Sequence, residues 1–268
     1  MTNASGILAE SRFIASVFLR REVKLDFYLP PNYDDTSAIS LLLINDGQDM
    51  PKMGFASMLE KLYADKAIKP LLAVGIHCGA ERKREYGVAG HPDYKGRGDK
   101  AGLYSSFIIE ELLPFIDSFY KQYSFMEKAL AGFSLGALSA LDMVWSHPEQ
   151  FSKAGCFSSS FWWRSLDQHD PEYTDDKHRI IQQQIRKGKY AASLQFFFQC
   201  GNMDETKDRN NNGIIDSIDD TQDIIKELVA KGYDLKNDIR YMEIKDGRHD
   251  VFTWGRAMPE FLKWGWGK

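Results

Sequence analysis

No stretch of this chain is apolar for the roughly 20 residues that a bilayer-spanning helix needs, so the sequence offers no membrane-crossing helix. Only three cysteines occur, Cys78, Cys156 and Cys200. An odd count in apolar, strand-like settings argues against a disulfide framework and for buried free thiols in a reducing compartment. Neither charge sign dominates: 34 basic residues stand against 38 acidic ones, a formal net charge of -4. With no basic block, nucleic acid has no footprint to bind. The opening MTNASGILAESRF lacks the basic-then-apolar order of a signal peptide, so a cytoplasmic protein is expected unless a leader has been removed. Repeats, linkers and low-complexity tracts are also lacking, and 268 residues suit one large domain with an ample core.

What the chain does have is alternation. Phe13 to Leu19 and Val23 to Leu29 read as an antiparallel hairpin turning at Arg20-Arg21-Glu22. Ile39 to Asn45 is almost continuously apolar, as expected of a strand covered on both faces. A helix over Phe55 to Ala67 and a buried strand over Leu71 to His77 follow, then a polar, glycine-rich loop from Gly79 to Lys100. Leu103 to Phe119 reads as a helix bent or broken at Pro114. Strands at Lys128 to Phe133, Ala154 to Ser158, Leu194 to Cys200 and Ile239 to Ile244 alternate with helices at Leu135 to Trp145, Ile180 to Gly188, Thr221 to Lys231 and Trp254 to Trp264. Such alternation predicts an α/β fold: a mostly parallel sheet with an antiparallel N-terminal hairpin and helices on both faces.

Between the strand at Lys128 and the helix at Leu135 lies Gly132-Phe133-Ser134-Leu135-Gly136. A serine on a sharp strand-to-helix turn is the nucleophile elbow of an α/β-hydrolase, and glycines either side let strand and helix pack close to it. Serine needs a base, and in this architecture acid and histidine follow the serine, each after a strand. Of the later histidines, His249 in Lys245-Asp246-Gly247-Arg248-His249-Asp250 stands between the last strand and the last helix. His169 and His178 lie in a polar excursion, and His147 closes the elbow helix. The acid should follow the strand ending at Cys200; Asp204 is the first carboxylate there and Glu205 its rival. For the oxyanion, backbone donors are expected from Leu135 and from Gln48, with Gly47 as the alternative in Asn45-Asp46-Gly47-Gln48.

The chain resembles, nearly end to end, the esterases related to enterochelin esterase, esterase D and the mycobacterial mycolyl transferases. The resemblance rests on Tyr28-Leu29-Pro30-Pro31-Asn32-Tyr33, Asn45-Asp46-Gly47-Gln48, Arg84-Glu85-Tyr86, Glu110 to Ile116, Ala131 to Ala137, Ser158 to Trp163 and Gly247-Arg248-His249-Asp250. Asn45 departs from the more usual Leu-Asp-Gly but leaves the backbone donor intact. The resemblance implies cleavage of a small carboxylic ester or thioester with no organic cofactor; the particular substrate does not carry over. Two other readings stay open: an acyltransferase using the same acyl-enzyme, and a non-catalytic calcium-dependent binding protein. Phe161, Trp162 and Trp163 read either as a hydrophobic cap or as an aromatic wall for an acyl group. Arg82 and Arg84, beside Glu85, could orient an anionic substrate or form solvated ion pairs.

One further motif spans Asp208 to Asp219. Oxygen-bearing side chains fall at loop positions one, three, five, nine and twelve, with Gly213 at six. That is calcium-loop spacing, ending in Asp as in dockerin loops, and the alternative is an Asx-rich turn. The expected ligands are Asp208, Asn210, Asn212, the Ile214 carbonyl, Asp216 and Asp219, holding a structural calcium ion.

Overall fold

The computed structural model describes residues 7–30 and 38–268; Pro31, Asn32 and Tyr33 of the Tyr28 motif, like residues 1–6, lie outside them. The described strands are β1 (Leu8–Ser16), β2 (Arg21–Leu29), β3 (Ala38–Asn45), β4 (Leu71–Ile76), β5 (Ser124–Phe133), β6 (Lys153–Phe157), β7 (Gln195–Met203) and β8 (Ile239–Arg248). They form one sheet in the order β1-β2-β4-β3-β5-β6-β7-β8. The β1–β2 and β2–β4 pairs are antiparallel and the rest parallel. The hairpin turns before Arg21 rather than across it, and β1 starts five residues ahead of Phe13. As the outermost strand, β1 is mostly solvent-exposed, so its first half needs no apolar run.

The helices are α1 (Phe55–Ala64), α2 (Arg82–Glu85), α3 (Ala101–Ser106), α4 (Leu113–Phe119), α5 (Leu135–Ser146), α6 (Asp175–His178), α7 (Ile180–Lys187), α8 (Asp216–Lys231) and α9 (Val251–Trp266). Residues of α1 and α9 form one core with one face of the sheet; α3, α4, α5, α7 and α8 contribute to the other. Pro114 does not break its helix. A π-helical segment, Phe107–Leu112, joins α3 to α4, with Leu113 N–H reaching back to the Ile108 carbonyl. Proline has no N–H to continue the ladder, and the wider turn ahead of it absorbs the mismatch. Helix α8 starts at Asp216, five residues before the expected Thr221, because its first turn is polar and carries no apolar stripe.

Parallel pairing fixes what emerges at the C-terminal edge. Phe133 is level with Phe157, so Ser134 and Ser158 leave the sheet side by side. Met203 is level with Arg248, so Asp204 and His249 do the same on the outer two strands. The register slips between Gly201 and Met203 to reach that pairing. A Cβ on Gly201 would lie 2.4 Å from the Gly247 carbonyl oxygen and 2.6 Å from Asp204 Oδ1, so glycine is what admits the close approach.

Candidate active site

Ser134 sits between β5 and α5 with φ 56° and ψ -118°, a strained conformation for a residue with a side chain. The surroundings hold it there. Its N–H donates to the Phe157 carbonyl at 2.9 Å, and Ser160 N–H donates to its carbonyl at 3.1 Å. A Cβ on Gly132 would stand 2.4 Å from the Gly136 carbonyl, so that side of the elbow tolerates only glycine. Leu135 through Trp145 are all buried, which anchors the helix in the core behind the serine. Ser134 itself is partly open to solvent, and its Oγ lies 3.5 Å from Ser160 Oγ. As the first residue of α5, Leu135 has an N–H with no partner inside the helix.

At the end of β3, Asn45 is fully buried and ties two elements to the elbow. Its Nδ2 donates to the Gly136 carbonyl at 2.8 Å and its Oδ1 accepts from Tyr104 Oη at 2.5 Å. Asp46 follows in the left-handed region, φ 61°, and opens a 3-10 turn, Gly47–Asp49. The Gln48 side chain is turned back toward Asp46 Oδ1 (3.3 Å) and the Cys78 amide (3.2 Å). Arg82 forms a bidentate pair with Asp46, both bonds 2.7 Å, and lies over the Tyr86 ring. Cys78, beside Asp46, is not a rival nucleophile. Burial, then the Asp46 charge, push its thiol up to about 11, so it stays protonated near neutral pH. All three cysteines are free, Cys156 and Cys200 being buried.

The Asp204 carboxylate takes the Gly201 N–H on Oδ2 at 3.0 Å, while its buried Oδ1 has no hydrogen-bond partner among the described residues. Burial raises its pKa; the Gly201 N–H, the Ser158 hydroxyl and His249 pull the other way. Ser158, with φ 43°, also accepts Trp254 Nε1 at 3.0 Å. His249 is exposed to solvent, with its ring edge-on to Trp254, centroids 5.4 Å apart. Packed protein beneath the ring depresses its pKa, Asp204 opposes that, and Arg82 adds to it. Glu205 exerts no such pull on His249; its own pKa is raised by burial and by Asp216. No hydrogen bond joins His249 to Ser134 or Asp204 among the described residues. The other late histidines lie away from this edge: His147 caps α5, His178 stacks on Tyr173, and His169 contacts Gln168. Ser11, Asp26 and His77 also meet, but there Ser11 bonds to the aspartate at 2.6 Å, so no base faces the hydroxyl.

The aromatics after β6 divide between the two readings. Trp163 is fully buried, with Nε1 donating to the His91 carbonyl at 3.0 Å, the arrangement of a hydrophobic cap. Trp162 is half-buried, but the Arg97 guanidinium lies 4.7 Å over its ring, so it presents a cationic rather than an apolar wall. Arg84 is held by Asp99 (2.9 Å) and Glu81 (2.8 Å) on the surface, and the guanidinium near the edge is that of Arg82. Sequence reasoning missed Ser158 and Ser160. The serine run after β6 was the only signal, and pairing of β5 with β6 is what gives it meaning.

Across the Asp208 to Asp219 segment, Asp208 Oδ1 and Oδ2 accept the N–H groups of Asn212 and Gly213 at 3.1 and 2.8 Å. Asn210 Nδ2 and Asn212 Nδ2 both donate to Asp219 Oδ2, at 2.9 and 2.8 Å. Asp216 turns away, accepting the Arg209 N–H at 2.8 Å and pairing with its guanidinium at 3.2 Å. Buried Asp220, which follows Asp219, pairs with Arg179 (2.6 Å) and Arg209 (2.7 Å), so arginines already neutralise Asp216 and Asp220. Among the described residues no three His, Cys, Asp or Glu side chains converge as a metal-binding group. Nor is any described helix long and apolar enough to cross a membrane.

A parallel sheet with a strained serine after an inner strand defines an α/β-hydrolase. The chain belongs to the Putative esterase family, whose model matches residues 16–264. The uncharacterized protein YjcH of Bacillus subtilis (strain 168) is 25% identical over 270 residues, covering 98% of this chain and 99% of YjcH. Among solved structures, the enterobactin esterase FES of Shigella flexneri superposes with a TM-score of 0.72 at 19% identity. That match covers 96% of this chain, which spans only 59% of the FES chain. An IroE-like serine hydrolase from Shewanella oneidensis gives 0.69 at 21% identity, covering 96% of this chain and 80% of its own. The siderophore hydrolase EstB of Aspergillus nidulans gives 0.68 at 16% identity, covering 98% and 96%.

Proposed function

We propose that Ser134, His249 and Asp204 act as a nucleophile–base–acid triad on a small carboxylic ester. Ser134 Oγ bonds to the acyl carbon as its proton passes to His249 Nε2. His249 then gives that proton to the departing alkoxide as the ester C–O bond breaks. Water, deprotonated by the same imidazole, releases the acid and restores the serine. Asp204 Oδ1 would accept the other imidazole N–H, and the amides of Leu135 and Gln48 would hold the oxyanion. The observation that carries this reading is the pairing of Met203 with Arg248, which sends Asp204 and His249 out of the sheet together on the same edge as Ser134. The test is labelling by a fluorophosphonate, with turnover of aryl esters of graded chain length. Absence of both labelling and turnover would sink the proposal.

The pH dependence has a definite sign. The base works as the neutral imidazole, and burial places the His249 pKa below its ordinary 6.5. The acid limb of kcat/KM should therefore fall below about 6.5. Arg82→Gln removes a cation that depresses this pKa and leaves Asp46 unpaired, so the limb should move to higher pH. A limb that stays fixed would mean the titrating group is not His249.

The Asp208 to Asp219 loop would hold calcium through Asp208, Asn210, Asn212, the Ile214 carbonyl and Asp219. Asp216 would take part only through water, being engaged by Arg209. The donor set is compatible with the ion: rotating the Asn210 and Asn212 amides replaces the Nδ2 groups beside Asp219 with oxygens. The loop follows Asp204 by only a few residues, so a bound ion would restrict where the acid sits. Calcium at a hundredfold excess over its dissociation constant should stabilise the protein by about 2.7 kcal/mol. Chelation should lower Tm and activity, and calcium should restore both. Calorimetry with no binding, and melting indifferent to chelator, would leave an Asx-rich turn.

A further inference from the structure

Beside the candidate site lies an open cleft of about 240 Å³ whose walls include Tyr94, Lys95, Trp162, Arg164, Glu205 and Lys207. It adjoins the catalytic edge on two sides. Glu205 directly follows Asp204, and Trp162 is two residues past Ser160, whose Oγ is 3.5 Å from Ser134 Oγ. At 3.8 Å between consecutive Cα atoms, both walls begin within about 8 Å of those residues.

The cleft's charge is lopsided. Lys95, Arg164 and Lys207 form no ion pair among the described residues, although acidic partners engage most other arginines of the chain. Arg164 instead lies over the rings of Tyr94 (5.4 Å) and Trp162 (6.0 Å), and its buried Nε has no hydrogen-bond partner. Aromatic faces hold a guanidinium in place without cancelling its charge. Four basic side chains, Lys95, Arg97, Arg164 and Lys207, line the cleft against two acidic ones. Asp216 is taken up by Arg209, Glu205 acts on Lys207, and Asp167 acts on Arg164. An arginine held on aromatic faces beside two lysines outside any ion pair is a receptor for an anion, a carboxylate suiting the planar guanidinium.

We propose that this cleft is a recognition subsite for a carboxylate-bearing half of the ester, an assignment that rests on the triad reading for its link to turnover. An ester carrying an aryl carboxylate fits both the charge and the short span to Ser134. Unmodified alkyl esters would bring no charge to meet this basic excess.

The test compares phenyl acetate with 4-acetoxybenzoate, which differ by one carboxylate. The anionic ester should be preferred in kcat/KM by about tenfold at low salt, with the preference shrinking as salt rises. Arg164→Gln with Lys207→Gln should bring the ratio near one. A merely structural role would lower turnover of both esters alike and leave the ratio unchanged, which overturns the proposal. Binding is read separately by titrating 4-hydroxybenzoate into Ser134→Ala by calorimetry. Binding that Arg164→Gln weakens supports the subsite even if neither ester turns over, in which case only the triad reading falls. Turnover of both esters at equal efficiency, with no binding of 4-hydroxybenzoate, removes the subsite and leaves the triad reading standing.

Discussion

Ser134→Ala should abolish ester hydrolysis and fluorophosphonate labelling while leaving the protein folded. Loss of a triad serine costs about 10⁶-fold in kcat in a well-studied serine protease, and a loss of 10³ or more is expected here. The fold should survive because, among the described residues, the hydroxyl's one side-chain hydrogen bond is to Ser160 Oγ at 3.5 Å. The strain at φ 56° belongs to any residue with a Cβ, so alanine neither relieves nor adds to it. The measurement is turnover beside a thermal melt. A variant with wild-type turnover, or a label found by mass spectrometry on another residue, removes Ser134 from the role.

The second large effect concerns the outer strands. His249→Ala should cost nearly as much as losing the serine, since a hydroxyl without a base is a poor nucleophile. Asp204→Asn should cost on the order of 10⁴ in kcat. The amide oxygen can still accept the Gly201 N–H, but Nδ2 then occupies the place of the partnerless Oδ1 and faces the imidazole with a donor. The ring is left in the wrong tautomer. Glu205→Gln, one residue on, should change far less, because that carboxylate acts on Asp216 and Lys207 rather than on His249. If Glu205→Gln cost as much as expected for Asp204→Asn, and Asp204→Asn cost little, the acid would have to be reassigned.

Much of this fold was legible in the chain because buried parallel strands and the elbow leave local signatures. Ile39 to Asn45 is apolar throughout since both faces are covered, and Gly132 and Gly136 are dictated by contact between strand and helix. The exposed strand β1 and the polar first turn of α8 have no such signature, and there the bounds slipped by five residues. In the candidate site, chain order singles out Ser134, then a carboxylate after the next-to-last strand, then His249. Contacts between distant segments could not. Trp162 and Trp163 look alike in sequence, yet one is sealed in the core and the other lies under Arg97. Arg82 and Arg84 differ in the same way, one turned to Asp46 and the other to Asp99.

The position of each strand within the sheet has a consequence for how the molecule wears under heat. Ser134 leaves β5, which has a strand on either side and α5, buried from Leu135 to Trp145, behind it. Asp204 and His249 leave β7 and β8, and β8 is a border strand with about half of its residues exposed. Fraying of a protein begins where backbone bonds are open to water and apolar contacts are few. The border strand that carries the base is therefore expected to open before the interior that carries the serine. Partial opening would carry His249 away from the edge that holds Ser134 without melting the sheet, and it would be reversible as long as β5 and its neighbours remain paired.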